Sequence, residues 1–356
     1  MPTTTLVSLI AVSLVLSAVF VPVVIRLGHK YGILDMPGKH KKHKRPTPLL
    51  GGLALFITTW LTVGIGYLLF HDLFQGLSDT VIYVFLGGLI ILLVGLSDDL
   101  SPTSAWVKLA AQAAAGLLLY LGGLRVVFLA IPFQGVEIDV GWLSVVITVL
   151  WVIVLTNAIN LIDGLDGLAS GVSLIGALSL MAIGQLYQVG PVLVFVLVLV
   201  GFLSLFLYYN RYPARVFLGD SGSMQIGYYF ALFSLAMPLK SYTATALYMP
   251  LLALGVPLME VLSSAVRRSV SGRNIMRADR RHLFHYLSLM GFSRRQVVFT
   301  FYLLAVIYGL LALAMFYWNR LIVFGSLVVF MVVIFGAFFI LLTKFSDRRR
   351  LNGRQE

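Results

Sequence analysis

One short segment, residues 157–169, carries an unusual density of polar side chains between two apolar stretches. Its two amides and two carboxylates are Asn157, Asn160, Asp163 and Asp166. The first three recur every third residue, so a helix would present them as one polar stripe, and the two glycines among them would let backbone approach a ligand closely. A carboxylate at the bilayer centre costs roughly 2.5–3.5 kcal/mol on insertion scales. These side chains therefore belong at a membrane boundary or in a watered cleft.

Two further acidic motifs could take part in the same chemistry. Asp98 and Asp99 are adjacent, and neighbouring like charges favour a nearby cation or metal; Lys108 follows at the start of the next apolar stretch. In the segment Phe217-Leu-Gly-Asp220-Ser-Gly-Ser, glycines flank an acid, which suits a hard cation with backbone N–H groups free for phosphate. Taken singly, each motif could also be a turn or a helix N-cap.

A basic segment near the C-terminal end, residues 267–296, combines arginines with histidines. Its candidates for a phosphate or diphosphate clamp are Arg277, Arg280, Arg281, His282 and His285. The arginines alone could serve only membrane topology. Together with the acidic motifs, they predict Mg²⁺ and a phosphorylated, nucleotide-type substrate. For an enzyme embedded in a membrane and using a soluble phosphate donor, we expect a lipid acceptor.

The composition is that of a membrane protein. The 356 residues are 60% hydrophobic and 11% charged, with a mean hydropathy of +0.97, whereas soluble domains carry about 25% charged residues. The net charge of +12 could suggest nucleic acid, but the bases lie in short loops between apolar stretches, so we expect no nucleic-acid partner. The chain has no cysteine, which excludes disulfides and thiolate metal sites.

The apolar stretches predict an all-α polytopic membrane protein, a single domain spanning residues 1–356 with about 10–11 transmembrane helices. The stretches are 5–27, 49–70, 79–97, 105–122, 142–158, 170–187, 191–209, 222–239, 244–266, 297–317 and 321–343. The connecting segments are a basic loop at 28–48, an external loop at 123–141 with the pattern of a short hairpin, the Arg/His loop at 267–296 and a basic tail at 344–356.

The basic residues predict the orientation. Of the 26 Lys and Arg residues, all but Arg125, Lys240 and Arg320 fall on one side of this topology. The positive-inside rule places that side in the cytoplasm and the N-terminus outside. The acidic motifs lie at span ends on the same side, so we expect a multi-pass protein of the cell (plasma or inner) membrane with its active site facing the cytoplasm.

Two other classes of protein compete with an enzyme. A secondary transporter would place polar groups near the bilayer midplane in broken helices, whereas the acids of this chain lie at span ends. A catalytically inactive membrane scaffold would have no need of intact acidic motifs. The acids at Asp98, Asp99 and Asp220 and the amide of Asn160 favour the enzyme.

Taken in order along the chain, the motifs resemble those of the polyprenyl-phosphate N-acetylhexosamine-1-phosphate transferases of glycosyltransferase family 4. The resemblance runs from about Pro46 to Ser293 and rests on Asp98-Asp99, the 157–167 segment, the Asp220 motif and His282-Leu-Phe-His285. It implies transfer of N-acetylglucosamine-1-phosphate from UDP-GlcNAc to undecaprenyl phosphate, with release of UMP. This is the first membrane step of cell-wall or surface-polysaccharide synthesis.

Within that family, the chain is more similar to the UDP-GlcNAc branch, whose products include lipopolysaccharide O-antigen and teichoic acid. The muramoyl-pentapeptide branch carries three consecutive histidines followed by Phe-Glu, which this chain lacks. The GlcNAc branch usually has His-x-His-His, so Phe284 replaces a histidine, and Glu260 stands where that branch tends to have Asp. Another UDP-N-acetylhexosamine, or UDP-MurNAc-pentapeptide, therefore stays open as the donor.

The resemblance also implies roles for single residues. Asn160 and Asp220 would be ligands of Mg²⁺, with Mn²⁺ as a substitute, and Asp98 with its partner Asp99 would lie near the lipid phosphate. The residues expected to bind the UDP-sugar are Lys108, Asn157, Asp163, Asp166, Arg277, Arg281, His282 and His285. A homodimer is left open. Because a phosphate monoester has its second pKa near 6, the acceptor needs little deprotonation, so Asp98 could be a base, a metal helper or a positioning group.

Overall fold

The computed structural model describes residues 1–37, 45–74, 78–130, 137–237, 251–270, 283–318, 322–323 and 325–326. The first helices are α1 (Thr3–Tyr31), α2 (Gly51–Leu69), α3 (His71–Phe74), α4 (Ser78–Leu100), α5 (Ala105–Leu121) and α6 (Leu143–Ile162). They are followed by α7 (Leu168–Leu186), α8 (Leu193–Asn210), α9 (Gly219–Ala236), α10 (Gly255–Val270), α11 (Leu283–Leu289) and α12 (Arg294–Tyr317). The strands are β1 (Leu34–Asp35), β2 (Thr47–Pro48), β3 (Phe128–Ala130) and β4 (Glu137–Asp139).

Seven helices in the described part of the chain are long and apolar enough to cross a membrane, which confirms the all-α polytopic class. They are α1, α2, α4, α6, α7, the segment Gly190–Asn210 that contains α8, and α12. Among the other predicted spans, α5 is a shorter apolar helix, and the 18-residue α9 is less apolar than these seven. The predicted span at 321–343 lies almost entirely outside the described residues, as does the start of the span at 244–266.

Helix α9 is the centre of the bundle. Residues 221–236 are all buried, and the helix packs against α2, α4 and α6. Small residues allow these contacts, because a Cβ on Gly52 or Gly95 would overlap Ser221, and one on Gly227 would overlap the backbone of Leu155. Such close approach of small residues is how membrane helices associate without a hydrophobic drive between them. The glycines therefore fix the depth at which α9 sits between its three neighbours.

The remaining long helices form an outer layer. α1 packs on α2 and α8, α7 packs on α8 and α12, and α10 packs on α6 and α12. Residues 193–203 of α8 are buried all round, as expected for a helix that is apolar on every side. α12 begins with a capping box, in which the Ser293 side chain accepts from Gln296 N–H and the Gln296 side chain accepts from Ser293 N–H.

Two short antiparallel hairpins join the helices. In the first, β1 pairs with β2 through Leu34 and Pro48. In the second, β3 pairs with β4 through Phe128 and Asp139, within the loop where the sequence predicts a hairpin; residues 131–136 between these strands lie outside the described part. The first hairpin matters for the site, because Asp35 and the adjoining Leu49 reach the cavity described next.

Candidate active site

The N-terminus of α9 brings two of the acidic motifs together. One oxygen of Asp99 accepts the backbone N–H of Asp220 (2.7 Å), and the other accepts the N–H (3.2 Å) and the hydroxyl (2.7 Å) of Ser221. Gly219 has φ +70°, and a Cβ there would lie 2.7 Å from Asp99 Oδ1, so the close approach requires glycine. A carboxylate at the positive end of a helix dipole is stabilised. Asp99 thus fixes the start of α9 and the position of Asp220.

Lys108 lies between two other carboxylates. Its Nζ is 3.1 Å from Asp98 Oδ2 and 2.9 Å from Asp220 Oδ2. The second oxygen of Asp98 accepts the backbone N–H of Thr103 at 2.7 Å. The cation expected beside the paired acids is therefore present, and it links α4 and α5 to α9.

The two predicted amides have different surroundings. Asn160 donates from Nδ2 to Asp220 Oδ1 (3.0 Å) and to Ser223 Oγ (3.0 Å), so it belongs to the same cluster. Asn157, one turn earlier on α6, donates to Gln112 Oε1 (2.7 Å) and to the Ile153 carbonyl (2.8 Å). It braces α6 against α5 and is not part of the cavity lining. We call Asp98, Asp99, Lys108, Asn160 and Asp220 the carboxylate centre.

A cavity of about 1260 Å³ opens beside the carboxylate centre. One part of its wall is acidic and contains Asp99, Asn160, Asp163, Asp166 and Asp220. Another part is basic and contains Arg211, Arg215, Arg294 and Arg295, which we call the arginine rim. His285 lines the cavity as well. One space therefore offers oxygen ligands for a cation and guanidinium groups for anions.

Asp163 is placed by the end of α6. The helix stops at Ile162, and the Asp163 N–H bonds to the Asn160 carbonyl at 3.2 Å. Burial, and to a smaller extent the negative charges of Asp220, Asp99 and Asp166, raise the pKa of the Asp163 carboxyl to about 8. A cation bound between these acids would offset both effects.

The turn after Asp163 is held from two sides. Asp166 accepts the Ala214 N–H at 3.0 Å, and Gly167, with φ +79°, begins α7 in the left-handed conformation. The buried Asn210 accepts from the Gly167 N–H at 3.1 Å, and Tyr302 donates its hydroxyl to the Gly167 carbonyl at 2.6 Å. Sequence reasoning missed Asn210 and Tyr302. The only signal was the position of Asn210 at the end of an apolar stretch, shortly before the Asp220 motif.

The basic part of the wall contains arginines that the sequence did not single out. Arg277, Arg281 and His282 lie outside the described residues, and so does Arg280. The sequence placed the arginines of the rim on the basic side of the membrane without assigning them to the site, and the structure shows that they line the cavity. Arg211 lies over the Tyr208 ring (4.8 Å) and Arg294 over the Tyr212 ring (5.5 Å). Within the described ranges, no ion pair joins a rim arginine to a carboxylate.

The donor set fits a magnesium ion. In the part of the chain that the structure describes, no group of three acidic or histidine side chains could hold a metal by itself. Mg²⁺ commonly takes only one or two carboxylates, however, while water and substrate phosphates complete its shell. Asn160, Asp163 and Asp220, whose side chains carry oxygen ligands, line one cavity, which suits an ion that is bound together with a diphosphate.

Comparison with known proteins identifies the class. Residues 81–238 match the family model described as glycosyl transferase family 4. This match runs from the first turn of α4 to the end of α9 and so contains the whole carboxylate centre. The chain belongs to this family, as a polyprenyl-phosphate N-acetylhexosamine-1-phosphate transferase, and is therefore a multi-pass membrane transferase.

Individual relatives extend the match beyond those helices. The chain is 36% identical over 328 residues to a probable undecaprenyl-phosphate N-acetylglucosaminyl 1-phosphate transferase of Bacillus subtilis, covering 91% of this chain and 89% of the relative. It is 34% identical over 304 residues to a decaprenyl-phosphate N-acetylglucosaminephosphotransferase of Mycobacterium tuberculosis (78% and 74%). It is also 30% identical over 319 residues to a phospho-N-acetylmuramoyl-pentapeptide-transferase of Listeria monocytogenes (83% and 94%).

Proposed function

We propose that the chain transfers N-acetylglucosamine-1-phosphate from UDP-GlcNAc to undecaprenyl phosphate. The observation that carries the proposal is the meeting of Asp98, Lys108, Asn160 and Asp220, from four helices, beside a cavity that Asn160 and Asp220 line. The 36% identity to the Bacillus subtilis transferase supports the choice of sugar and lipid. The product is a GlcNAc-diphospho-lipid, which begins a cell-wall or surface polysaccharide.

The reaction exchanges one diphosphate bond for another. An oxygen of the lipid phosphate forms a bond to the sugar-linked phosphorus of the donor, and the bond from that phosphorus to the bridging oxygen breaks. UMP leaves with the bridging oxygen and its electron pair. Because the bonds formed and broken are of one kind, the reaction is close to thermoneutral. The enzyme therefore has mainly to hold two anions in line with their charges neutralised.

The residues divide this work. Asp220 and Asn160 would hold Mg²⁺, which supplies charge neutralisation on the diphosphate when bound. Lys108 provides a second positive charge between Asp98 and Asp220. Asp99 holds the α9 N-terminus, so its contribution is positional. Asp98, hydrogen-bonded to Thr103 and Lys108, would orient the acceptor, whose phosphate is already largely dianionic at neutral pH.

The same proposal assigns the orientation. The span ends that carry the carboxylate centre lie on the side that holds all but three of the lysines and arginines of the predicted topology. Under the positive-inside rule, the cavity opens to the cytoplasm, where a nucleotide-sugar is available. A tag after Glu356 should be protected from an external reagent in intact cells, and a tag at position 134 should react. The reverse result would contradict this orientation.

The test is a transfer assay with purified protein, Mg²⁺, undecaprenyl phosphate and radiolabelled UDP-GlcNAc. We expect label in the lipid extract and none after EDTA. UDP-GalNAc and UDP-MurNAc-pentapeptide, run in parallel, test the donor; the latter is the second candidate because of the 30% identity to the Listeria protein. Absence of lipid-linked label with every donor would exclude the proposed reaction.

A further inference from the structure

Glu260 on α10 is a buried acid outside the carboxylate centre. Glu260 is fully buried (0% exposed). Both of its carboxyl oxygens accept from the backbone N–H of Leu283, the first residue of α11, with N···O distances of 3.2 Å. Burying a carboxyl group costs free energy unless the group is hydrogen-bonded. The first N–H groups of a helix also need an acceptor when they are buried. The interaction therefore ties the start of α11 to α10.

The two residues after Leu283, Phe284 and His285, connect this interaction to the cavity. The Phe284 ring is 2% exposed and packs on Gly164 so closely that a Cβ there would overlap the ring. The His285 ring follows at 4.5 Å from the Phe284 ring and lines the cavity. Gly164 directly follows Asp163 in the acidic turn. One hydrogen bond and one aromatic contact thus connect α10 to the wall that carries Asp163.

We propose that Glu260 is a positioning residue for donor binding. Through the Leu283 N–H it holds Phe284 on Gly164 and keeps His285 in the cavity. For the identity of the donor this inference rests on the proposed function. The buried Phe284 ring packs on Gly164, so the wall next to Asp163 is shaped by packing, and the packing depends on the Glu260 contact.

The geometry predicts a selective effect. Asp98, Lys108 and Asp220 are held by α4, α5 and α9, and within the described residues none of their side-chain hydrogen bonds involves α10 or α11. Release of α11 should therefore disturb the Asp163 side of the cavity and leave the carboxylate centre in place. If Glu260 only stabilised the fold, its loss would affect both substrates alike.

The first experiment reads the position of α11 without turnover. Because the chain has no cysteine, His285→Cys gives a single thiol whose reaction rate with a small maleimide reports exposure at that position. Adding Glu260→Ala should raise this rate about fivefold and abolish protection by UDP-GlcNAc, because a local opening of about 1 kcal/mol changes accessibility by that factor. Glu260→Gln, which keeps one acceptor oxygen, should give a smaller rise.

The matched control for this experiment is Ser264→Ala. Ser264 lies on the same helix, is 3% exposed, and its hydroxyl has no hydrogen-bond partner among the described residues. The protein that carries both His285→Cys and Ser264→Ala should react with the maleimide at the same rate as the parent His285→Cys protein. Equal rates in the Glu260→Ala and Ser264→Ala backgrounds would overturn the proposal.

The second experiment separates the two substrates. With His285 restored, Glu260→Ala should raise the KM for UDP-GlcNAc about tenfold and change the KM for undecaprenyl phosphate less than twofold, because small displacements of binding groups have large kinetic effects. In a Phe284→Ala background, Glu260→Ala should raise the KM for UDP-GlcNAc little further, because the contact between Phe284 and Gly164 that Glu260 supports is already lost. Equal changes in both KM values, or fully additive effects, would contradict the proposal.

The outcomes also distinguish this proposal from the proposed function. If the wild-type protein transfers no sugar from any donor, the proposed function fails, and the thiol rates, measured without UDP-GlcNAc, still decide whether Glu260 holds α11. If Glu260→Ala does not elute as a single folded species, Glu260→Gln carries both measurements. An unchanged thiol rate and unchanged donor KM in Glu260→Gln would then overturn the inference.

Discussion

The arginine rim and three members of the carboxylate centre, Asp99, Asn160 and Asp220, line the same cavity, but the two regions are built in different ways. In the centre, each side chain bonds to a group on another helix, as Asp99 does to α9 and Lys108 to Asp220. In the rim, Arg211, Arg215 and Arg295 are exposed, and the Arg211 guanidinium lies over the Tyr208 ring. Charges fixed in advance act strongly on a reacting group, whereas exposed charges are screened by salt. The centre therefore suits the chemistry and the rim suits recognition.

The largest effect should come from the centre. Asp220→Ala should lower kcat about a thousandfold, because it removes the acid that Lys108 and Asn160 both contact and that would bind Mg²⁺. Lipid-linked label measures the rate, and the elution profile of the detergent-solubilised protein controls for folding. A drop of less than tenfold in a folded protein would show that the metal is held elsewhere.

The next effect tests whether Asp99 acts by position. Asp99→Asn replaces one acceptor oxygen with an amide donor, so either Asp220 N–H or Ser221 loses its acceptor at the α9 N-terminus. We expect kcat to fall about thirtyfold and the melting temperature to fall by several degrees, since an unsatisfied buried donor costs about 1–3 kcal/mol. A large loss of activity with an unchanged melting temperature would mean that Asp99 touches substrate directly.

Asp163 lines the same cavity, and its contribution should depend on pH. Its pKa of about 8 means that a bound cation must displace a proton near neutral pH. Mn²⁺ affinity, measured by electron paramagnetic resonance, should therefore rise up to about tenfold per pH unit below pH 8 and level off above it. Asp163→Asn should flatten this dependence.

The same pKa makes a prediction for the metal-free protein. Because the folded state holds this proton more tightly than the unfolded chain, whose carboxyl has the ordinary pKa of 3.8, Asp163 lowers stability as pH rises towards 8. The melting temperature of the wild type should fall as the pH rises from about 3.8 to about 8, and that of Asp163→Asn should fall less. The same slope in both proteins would assign the titration to another group.

The smallest effect should come from the rim. Arg211→Ala should raise the KM for UDP-GlcNAc about threefold, leave kcat unchanged and weaken the salt dependence of KM, because exposed charges contribute little individually. Arg26→Ala, an exposed arginine on α1 outside the cavity lining, is the matched control. A fall in kcat for Arg211→Ala would place the rim within the chemistry and end the distinction between the two regions.

Much of the fold could be predicted from the sequence. Long apolar stretches require helices in a bilayer, since every backbone polar group must be satisfied within the segment, and seven of the described helices meet that expectation. For α9, the sequence predicted a helix but not its position in the bundle. Hydropathy suggested a span near 222–239, but the helix is the buried centre of the bundle, and its glycine contacts with α2, α4 and α6 come from distant parts of the chain.

The site was predictable only where charge is rare. An acid or amide in an apolar chain has few structural uses, so Asp98, Asp99, Asn160 and Asp220 could be singled out from residue type and spacing. Arginines on the same side of the membrane are common for reasons of topology, so nothing in the sequence separated the arginine rim from the rest. Asn157 fitted the polar stripe, but the rotation of α6 directs its amide to Gln112.

By itself, the sequence determined the class of the molecule, its membrane-spanning helices and the acids and amides available for phosphate and metal chemistry, because the energetic cost of polar groups in lipid restricts where they can occur. The tertiary structure alone decided which of them meet. It assigned Asp99 to the start of α9, Lys108 to the space between two acids, and Glu260 to the backbone of α11. Those pairings depend on helix depth and rotation, which are set by packing between residues far apart in the chain.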